Sequence, residues 1–273
     1  MKILLCQISV EGINLRSQME EHQRRVREFI RSACGRNAVD MIFLPELSSI
    51  EYSGRAFANI SDLATSIDGW LCSSMAELAK ETGAAICFGM PRCQGENIYI
   101  SQVVIGRDGS LVGYYDKVHI AQLGASAEKP YFTPGNQLCV FTIGGFRFGI
   151  VICYDMRFGE YVSMLARNYH LDVMLHPVAF SKDGTFASWR SFVCTRALEN
   201  QVYWLSLNRA GEGWGHSIFC PPWFEHESEV LEFDESETLQ IVELDRARLK
   251  HAEEKYPIIR DRLDDYSILE PLI

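Results

Sequence analysis

Apolar positions recur along this chain at two periods, one near two residues and one near three and a half, and the two alternate as expected of a layered α/β protein. Ile3-Leu4-Leu5-Cys6-Gln7-Ile8 reads as a first strand that starts at Lys2. Leu15, Met19, His22, Val26, Phe29, Ile30 and Ala33 follow at helical spacing and predict an amphipathic helix over about 15–34, with Gly35 as its stop. The apolar run 39–46 predicts a strand ending on Pro45-Glu46. A helix is predicted from near Asp68 to Glu81, ended by Thr82-Gly83, then strands at 84–90 and 97–106. Asp108-Gly109 marks a hairpin turn into a strand at 111–116.

The second half repeats the order. Strands near 138–143 and 146–153 flank Gly144-Gly145, which reads as a hairpin and not a phosphate loop. A helix, a strand at 171–176, a helix over about 186–200 and strands at 202–208, 216–220, near Val230 and at 239–243 complete the pattern. Two α-β halves packed sheet to sheet are expected, although periodicity alone yields only a mixed α/β class. No low-complexity segment or linker interrupts the 273 residues, so one domain over 1–273 is expected, with helix and tail from about residue 245.

Composition narrows the function classes. A hydrophobic fraction of 47% supports a sizeable core. Lys and Arg number 26 against 36 Asp and Glu, and the net charge of -10 repels nucleic acid and anionic lipid. No apolar run reaches the roughly 18 residues of a membrane span. Nine cysteines, an odd number without paired spacing, and no charged leader before the first strand lead us to expect a reducing, cytoplasmic compartment.

The most informative segment is 149–158, where an apolar run ends on Cys153 and the chain turns polar. A thiol at a strand end beside a helix start is rigid and reachable, and a helix N-terminus favours the thiolate. Alone, a free cysteine more often packs as a small hydrophobe. Two other strand ends change the picture: Glu46 closes the run 39–46, and Lys117 lies just past the strand 111–116. Nucleophile, base and cation thus each sit at a strand end.

With these residues the chain resembles the nitrilase, or carbon-nitrogen hydrolase, superfamily, whose catalytic Glu, Lys and Cys occur in this order. The likeness extends from Lys2 to Tyr256-Pro257 and Arg260-Asp261-Arg262. Glu128, ahead of Tyr131-Phe132-Thr133-Pro134-Gly135-Asn136, matches the family's second glutamate, and Arg196-Ala197-Leu198-Glu199-Asn200 matches a helix that follows the active site. Residues 115–119, 153–158 and 214–217 look most like the ω-amidase and deaminated-glutathione-amidase branches. The resemblance implies an α-β-β-α sandwich of two packed mixed sheets flanked by helices. It also implies a small-molecule amide substrate and a homodimer or higher homo-oligomer. Relatives pair through helices beside the active site, where Tyr161, Val162, Met164 and Leu165, with Tyr256, Ile258, Ile259 and Tyr266 of the tail, offer apolar surface here.

On that resemblance Cys153 is the nucleophile that forms a thioester, and Glu46 is the base that moves its proton to the departing amine. The Lys117 ammonium and the Tyr154 backbone N–H meet the oxyanion, and Glu128 orients Lys117 and the scissile amide. Plainer readings stand beside these: Glu46 as a strand-end cap, Lys117 as a solvated cation, Glu128 as a surface group of a polar loop. Arg157 and Glu160 are spaced for a helix-face ion pair, and Asp155 for a bond to the turn after Cys153. A Cys-His hydrolase would need His119, His170, His176 or His216 at Cys153, whereas His119 reads more simply as fixing the Lys117 loop. No metal-ligand motif of the His-Glu-x-x-His or paired Cys-x-x-Cys kind occurs, so neither metal nor other cofactor is expected.

Three departures leave the substrate open. Glycine stands at 159 where the family often has proline, Ile120-Ala121-Gln122-Leu123-Gly124 lacks the leucine-phenylalanine usual in ω-amidases, and 220–226 replaces a shorter turn. All three are expected to border the pocket. The expected activity is thiol-dependent hydrolysis of small non-peptide amides, ω-amidase-like on a carboxylate-bearing substrate. Arg55, Lys182, Arg190 and Arg209 are the candidate cations for that carboxylate. An N-carbamoyl-amine amidohydrolase or other nitrilase-family amidase, a nitrile-cleaving enzyme, and a catalytically silent binding or regulatory module are the alternatives.

Overall fold

The computed structural model describes residues 1–35, 37–263, 266 and 268–271. Its strands are β1 (Lys2–Gln7), β2 (Met41–Phe43), β3 (Ala85–Gln94), β4 (Asn97–Ile105), β5 (Leu111–Asp116), β6 (Val140–Ile143), β7 (Phe146–Ile150), β8 (Val173–Pro177), β9 (Tyr203–Leu207), β10 (Ile218–Cys220), β11 (Leu231–Glu232) and β12 (Thr238–Glu243). Its helices are α1 (Arg16–Cys34), α2 (Gly54–Ala58), α3 (Ile60–Leu63), α4 (Trp70–Thr82), α5 (Gly159–Asn168), α6 (Trp189–Asn200), α7 (Arg246–Lys255) and α8 (Ile258–Asp261).

The strands form two six-stranded mixed sheets, ordered β12-β1-β2-β3-β4-β5 and β11-β10-β9-β8-β7-β6. In each the central three strands run parallel and the outer pairings antiparallel, so the halves repeat one pattern. The repeat is not sequential, because β12 returns from the chain's end to pair with β1. β1, β8 and β9 are buried on both faces, which is why their sequences are apolar runs without alternation. The sheets pack across one shared core, with α1 and α4 covering the first and α5 and α6 the second. The architecture is the expected α-β-β-α sandwich.

Local chemistry sets the element ends. Before α1, the Gln18 side-chain oxygen accepts from the N–H groups of Asn14 and Leu15 at 3.0 Å each, satisfying donors that a helix start leaves free. Its face carrying Met19, Val26 and Ile30 is buried, each side chain stabilising by roughly 1.5–3 kcal/mol. α4 ends on Gly83 at φ +67°, a left-handed conformation that costs glycine little.

The strand expected over 39–46 is only Met41–Phe43, and Glu46 sits on a turn beyond it. The strand expected to reach Cys153 stops at Ile150, and a 3-10 turn, Cys153–Arg157, carries the thiol. Val162 and Leu165, expected to offer apolar surface, are fully buried in the protomer because they form the core-facing stripe of α5. Tyr161 and Met164 are half-buried, and Ile258, Leu263, Tyr266, Ile268 and Leu269 are exposed. Among the described residues no helix is long and apolar enough to cross a membrane.

Candidate active site

Glu46, Lys117, Glu128 and Cys153 come from four separate segments: the turn after β2, the residues just past β5, the loop between β5 and β6, and the 3-10 turn after β7. The Glu46 turn lies directly on β3 at Gly89, where a Cβ would fall 2.4 Å from both Pro45 O and Leu47 N, so only glycine admits this approach. Ser48 Oγ bonds the carbonyl and the N–H of Gly89 at 3.1 Å each. From the other side the buried Arg209 donates to the carbonyls of Glu46 (3.2 Å), Leu47 (2.7 Å) and Ile50 (2.8 Å). Arg209 is therefore committed to holding this turn and does not serve as a free cation of the cleft.

Lys117 follows β5 and is fully buried, with its Nζ 2.8 Å from Glu46 Oε1 and 2.7 Å from Glu128 Oε1. The remaining oxygens are also occupied: Glu46 Oε2 accepts from Ala179 N (2.7 Å) and Glu128 Oε2 from Ala121 N (2.7 Å). Tyr52 Oη adds a 2.6 Å bond to Glu128 Oε1. Burial alone would strip the Lys117 proton, but Glu128 and Glu46 outweigh it and hold the ammonium well above its usual range. Burial pushes the Glu46 carboxyl up, opposed by Lys117 and reinforced by the Glu128 charge. With one ammonium between two carboxylates, Glu46 is the group placed to take up a proton.

Cys153 adopts φ +44°, a left-handed conformation that non-glycine residues rarely hold. Asp155 braces its turn: Oδ2 accepts from Ile152 N (2.9 Å) and Tyr115 Oη (2.8 Å), and Oδ1 from His119 N (2.9 Å), with His119 Nδ1 at 2.6 Å. The His119 ring stacks on Phe158 with centroids 3.8 Å apart. Arg196 of α6 donates from Nε to Met156 O at 2.9 Å. A Cβ at Gly159 would lie 2.9 Å from its Nη1, so glycine in place of proline makes room for this guanidinium. The readings of His119 and Asp155 as braces fit this geometry.

The thiol departs from one expectation. Burial pushes the Cys153 pKa well up, and Glu46 adds to the rise while Lys117 opposes it. Cys153 is the first residue of a five-residue 3-10 turn and α5 begins only at Gly159, so no α-helix N-terminus offsets the burial. The resting group is a thiol that needs a base.

A small cleft, partly open to solvent, lies over Cys153. Tyr154, Ala179 and Phe180 line it together with Ala121 and Leu123 of the segment that departs from the ω-amidase pattern. Arg157 also lines it, and the expected Arg157–Glu160 ion pair does not form, because Arg157 ends the 3-10 turn while Glu160 lies in the first turn of α5. The guanidinium lies over the rings of Phe192 (5.2 Å) and Phe180 (5.8 Å), with no ion-pair partner among the described residues. Asp183 shares the wall, but its oxygens accept from Ala125 N, Thr185 N and the Thr185 hydroxyl. Of the other candidate cations, Lys182 pairs with Glu235, Arg190 with Glu227 and Glu232, and Arg55 is solvent-exposed. Segment 220–226 packs on α7, where Trp223 stacks on Tyr256 at 3.9 Å, and so does not border the cleft. Tyr52 and the Ala179 N–H escape sequence reasoning, since no local pattern distinguishes them; the spacing of Arg157 to Glu160 favours a structural ion pair over contact with substrate.

Comparison with known proteins shows the family and the fold. The family profile described as Carbon-nitrogen hydrolase matches residues 5–254. The Omega-amidase NIT2 of Homo sapiens is 27% identical over 282 residues, covering 98% of this chain and 97% of that protein. The Nit3 protein of Saccharomyces cerevisiae, a member of branch 10 of the nitrilase superfamily, superposes with a TM-score of 0.82 at 23% identity, over 98% of this chain and 97% of that one. The amidase from Nesterenkonia sp. AN1, solved with acrylamide added to its active-site cysteine, superposes with a TM-score of 0.75 at 21% identity, over 96% and 99%.

The charge arrangement generates a stability test. Lys117→Met removes the ammonium and strands two buried carboxylates, which is expected to destabilise by about 3–5 kcal/mol at pH 7 in urea unfolding. In that variant the native carboxyls hold protons that the unfolded chain has released, so stability should fall as pH rises above the ordinary carboxylate range. Adding Glu128→Gln should recover part of the loss. A loss below about 1 kcal/mol that is flat in pH would contradict the buried-triad description.

Proposed function

Because this chain belongs to the carbon-nitrogen hydrolase family, we propose that Cys153, Glu46, Lys117 and Glu128 are its catalytic residues and that they cleave small amides through a thioester. The supporting observation is the fully buried Lys117 ammonium clamped between Glu46 and Glu128, with the charges of all three acting on the Cys153 thiol at the floor of a cleft.

Glu46 accepts the thiol proton as Cys153 Sγ attacks the carbonyl carbon. The Ala179 N–H holds the Glu46 carboxylate in place through its Oε2. The oxyanion is met by the Lys117 ammonium and the Tyr154 N–H, each such donor being worth roughly 2.7–4 kcal/mol at comparable sites. Glu46 returns the proton to the nitrogen as the C–N bond breaks. It then takes a proton from water, whose oxygen attacks the thioester carbonyl, and gives it to the departing sulfur. Glu128 keeps Lys117 charged and aimed, with Tyr52 fixing Glu128.

The substrate we propose carries a carboxylate a few carbons from its amide, as the ω-amidase likeness suggests. Arg157, whose guanidinium lies near the rings of Phe180 and Phe192 on the cleft wall, is the cation we propose to orient it. The enzyme is proposed to be a single domain and a cytoplasmic homodimer, joined through the exposed parts of α5 and the C-terminal segment around Ile258, Leu263 and Tyr266. All nine cysteines are free, as a reducing compartment requires.

Three measurements bear on this reading. Cys153→Ala is expected to abolish ammonia release from small amides while leaving the fold intact, and Glu46→Gln and Lys117→Ala to lower kcat at least about a hundredfold, with His119→Ala costing less. Normal turnover by Cys153→Ala would sink the mechanism. Succinamate should be hydrolysed with a higher kcat/KM than an uncharged amide of equal length, and Arg157→Leu should erase that preference by raising KM; equal values in the native enzyme would remove the ω-amidase-like substrate and leave the amidase chemistry. Light scattering of protein recovered from the soluble cytoplasmic fraction should return twice the 31.1 kDa of one chain. Monomer alone at micromolar concentration, or recovery from another fraction, would refute the assembly or the compartment.

A further inference from the structure

The proposed chemistry leaves one buried titratable group beside the nucleophile unused. His176, on β8, is fully buried. Its Nε2 lies 3.0 Å from the Cys153 carbonyl oxygen and its Nδ1 2.8 Å from Ser206 Oγ, which is also 3.0 Å from Trp189 Nε1. The chemistry of these groups fixes every proton. An indole N–H only donates, so Ser206 Oγ accepts from Trp189. A carbonyl oxygen only accepts, so Nε2 must carry a hydrogen. Burial depresses the ring's pKa to about 4, which keeps it neutral at pH 7 and leaves Nδ1 bare to accept from the Ser206 hydroxyl. The chain of bonds runs one way, from Trp189 through Ser206 and His176 to the Cys153 carbonyl.

That carbonyl belongs to the same peptide plane as the Tyr154 N–H. In a trans peptide the two groups point in opposite directions, and no cis bond occurs among the described residues. Holding the oxygen towards β8 therefore turns the N–H away from it, on a residue that lines the cleft and whose N–H no acceptor among the described residues takes. The hydrogen bond from His176 also draws electron density onto the oxygen and so strengthens the N–H as a donor. Both histidine nitrogens are engaged, and neither bonds the thiol, so His176 is not the base of a Cys-His pair.

We propose that His176, locked in one tautomer by Ser206 and Trp189, is a positioning residue that aims and polarises the Tyr154 N–H at the developing oxyanion. This rests on the reading of Tyr154 given above. It goes beyond that reading by assigning a role to a three-residue relay that touches neither substrate nor thiol.

The test uses His176→Phe, His176→Gln and Ser206→Ala in the full-length enzyme. His176→Phe is expected to lower kcat by about 10- to 100-fold, less than deletion of an oxyanion donor, with KM within about threefold. Alkylation of Cys153 by iodoacetamide forms no oxyanion, so its rate should hold. His176→Gln, which keeps an N–H donor, should recover much of kcat. In the native enzyme, ¹⁵N spectra of the His176 ring should show the Nε2–H tautomer with no titration between about pH 5 and 9. Unchanged kcat in a folded His176→Phe variant, alkylation falling in step with kcat, or an Nδ1–H tautomer would each overturn the proposal. Should the Phe variant fail to fold, Ser206→Ala carries the test: it should free the tautomer and lower kcat with KM and alkylation held, and unchanged kcat there overturns the proposal equally. Turnover surviving Cys153→Ala would instead sink the amidase reading, a failure separate from any change in the ring's tautomer.

Discussion

An ammonium buried between two carboxylates is the constraint around which this molecule is arranged. Taking Lys117, Glu46 and Glu128 out of water costs several kcal/mol per ion, and only close geometry with every remaining oxygen satisfied offsets that cost. The surrounding structure meets the condition with backbone donors, since Ala179 N–H caps Glu46 and Ala121 N–H caps Glu128. Because these donors lie in different segments, the charge triad also ties the Lys117 loop, the 121–128 loop and the end of β8 into one register. Gly89 and Arg209 serve the same end from beneath, by pressing and pinning the turn that carries Glu46.

Cys153 depends on a second constraint, backbone strain. A non-glycine residue in the left-handed region costs on the order of 1–3 kcal/mol and persists only where its surroundings over-determine it. Asp155, with hydrogen bonds from Ile152 N, Tyr115 Oη and His119 N, supplies bonds to a charged acceptor worth roughly 1.5–3 kcal/mol each, which together outweigh the strain. Arg196 and His176 add bonds to the carbonyls of the same turn. The rigidity of Cys153 is therefore a property of both sheets, since Tyr115 and His119 approach from the first and His176 and Arg196 from the second.

The two constraints meet in the cleft, where local fields oppose the global one. A net charge of -10 disfavours anions at long range, but salt screens that field over about 8 Å. Within that distance Arg157, beside the rings of Phe180 and Phe192 and near enough for its charge to act on Asp183, places positive charge on the cleft wall.

Much of this was legible in the residues themselves. The period of apolar positions located α1 and α4 to within two residues, because a stripe such as Met19, Val26 and Ile30 has only one way to face a sheet. The strand ends near Glu46, Lys117 and Cys153 marked where polar groups follow predicted strands, and Glu128 was recognisable only through resemblance. What escaped has a common physical cause. α2 and α3 are too short for a period to show, and a 3-10 turn between β7 and α5 broke the spacing that suggested an Arg157–Glu160 pair. Local pattern records which side of a segment faces water, and so it separates core from surface; it does not record which polar groups meet across a hundred residues. That Tyr52 reaches Glu128, that Ala179 caps Glu46 and that His176 holds the Cys153 carbonyl were decided only when the two sheets packed, because a buried donor takes whichever acceptor the tertiary fold leaves within 3 Å.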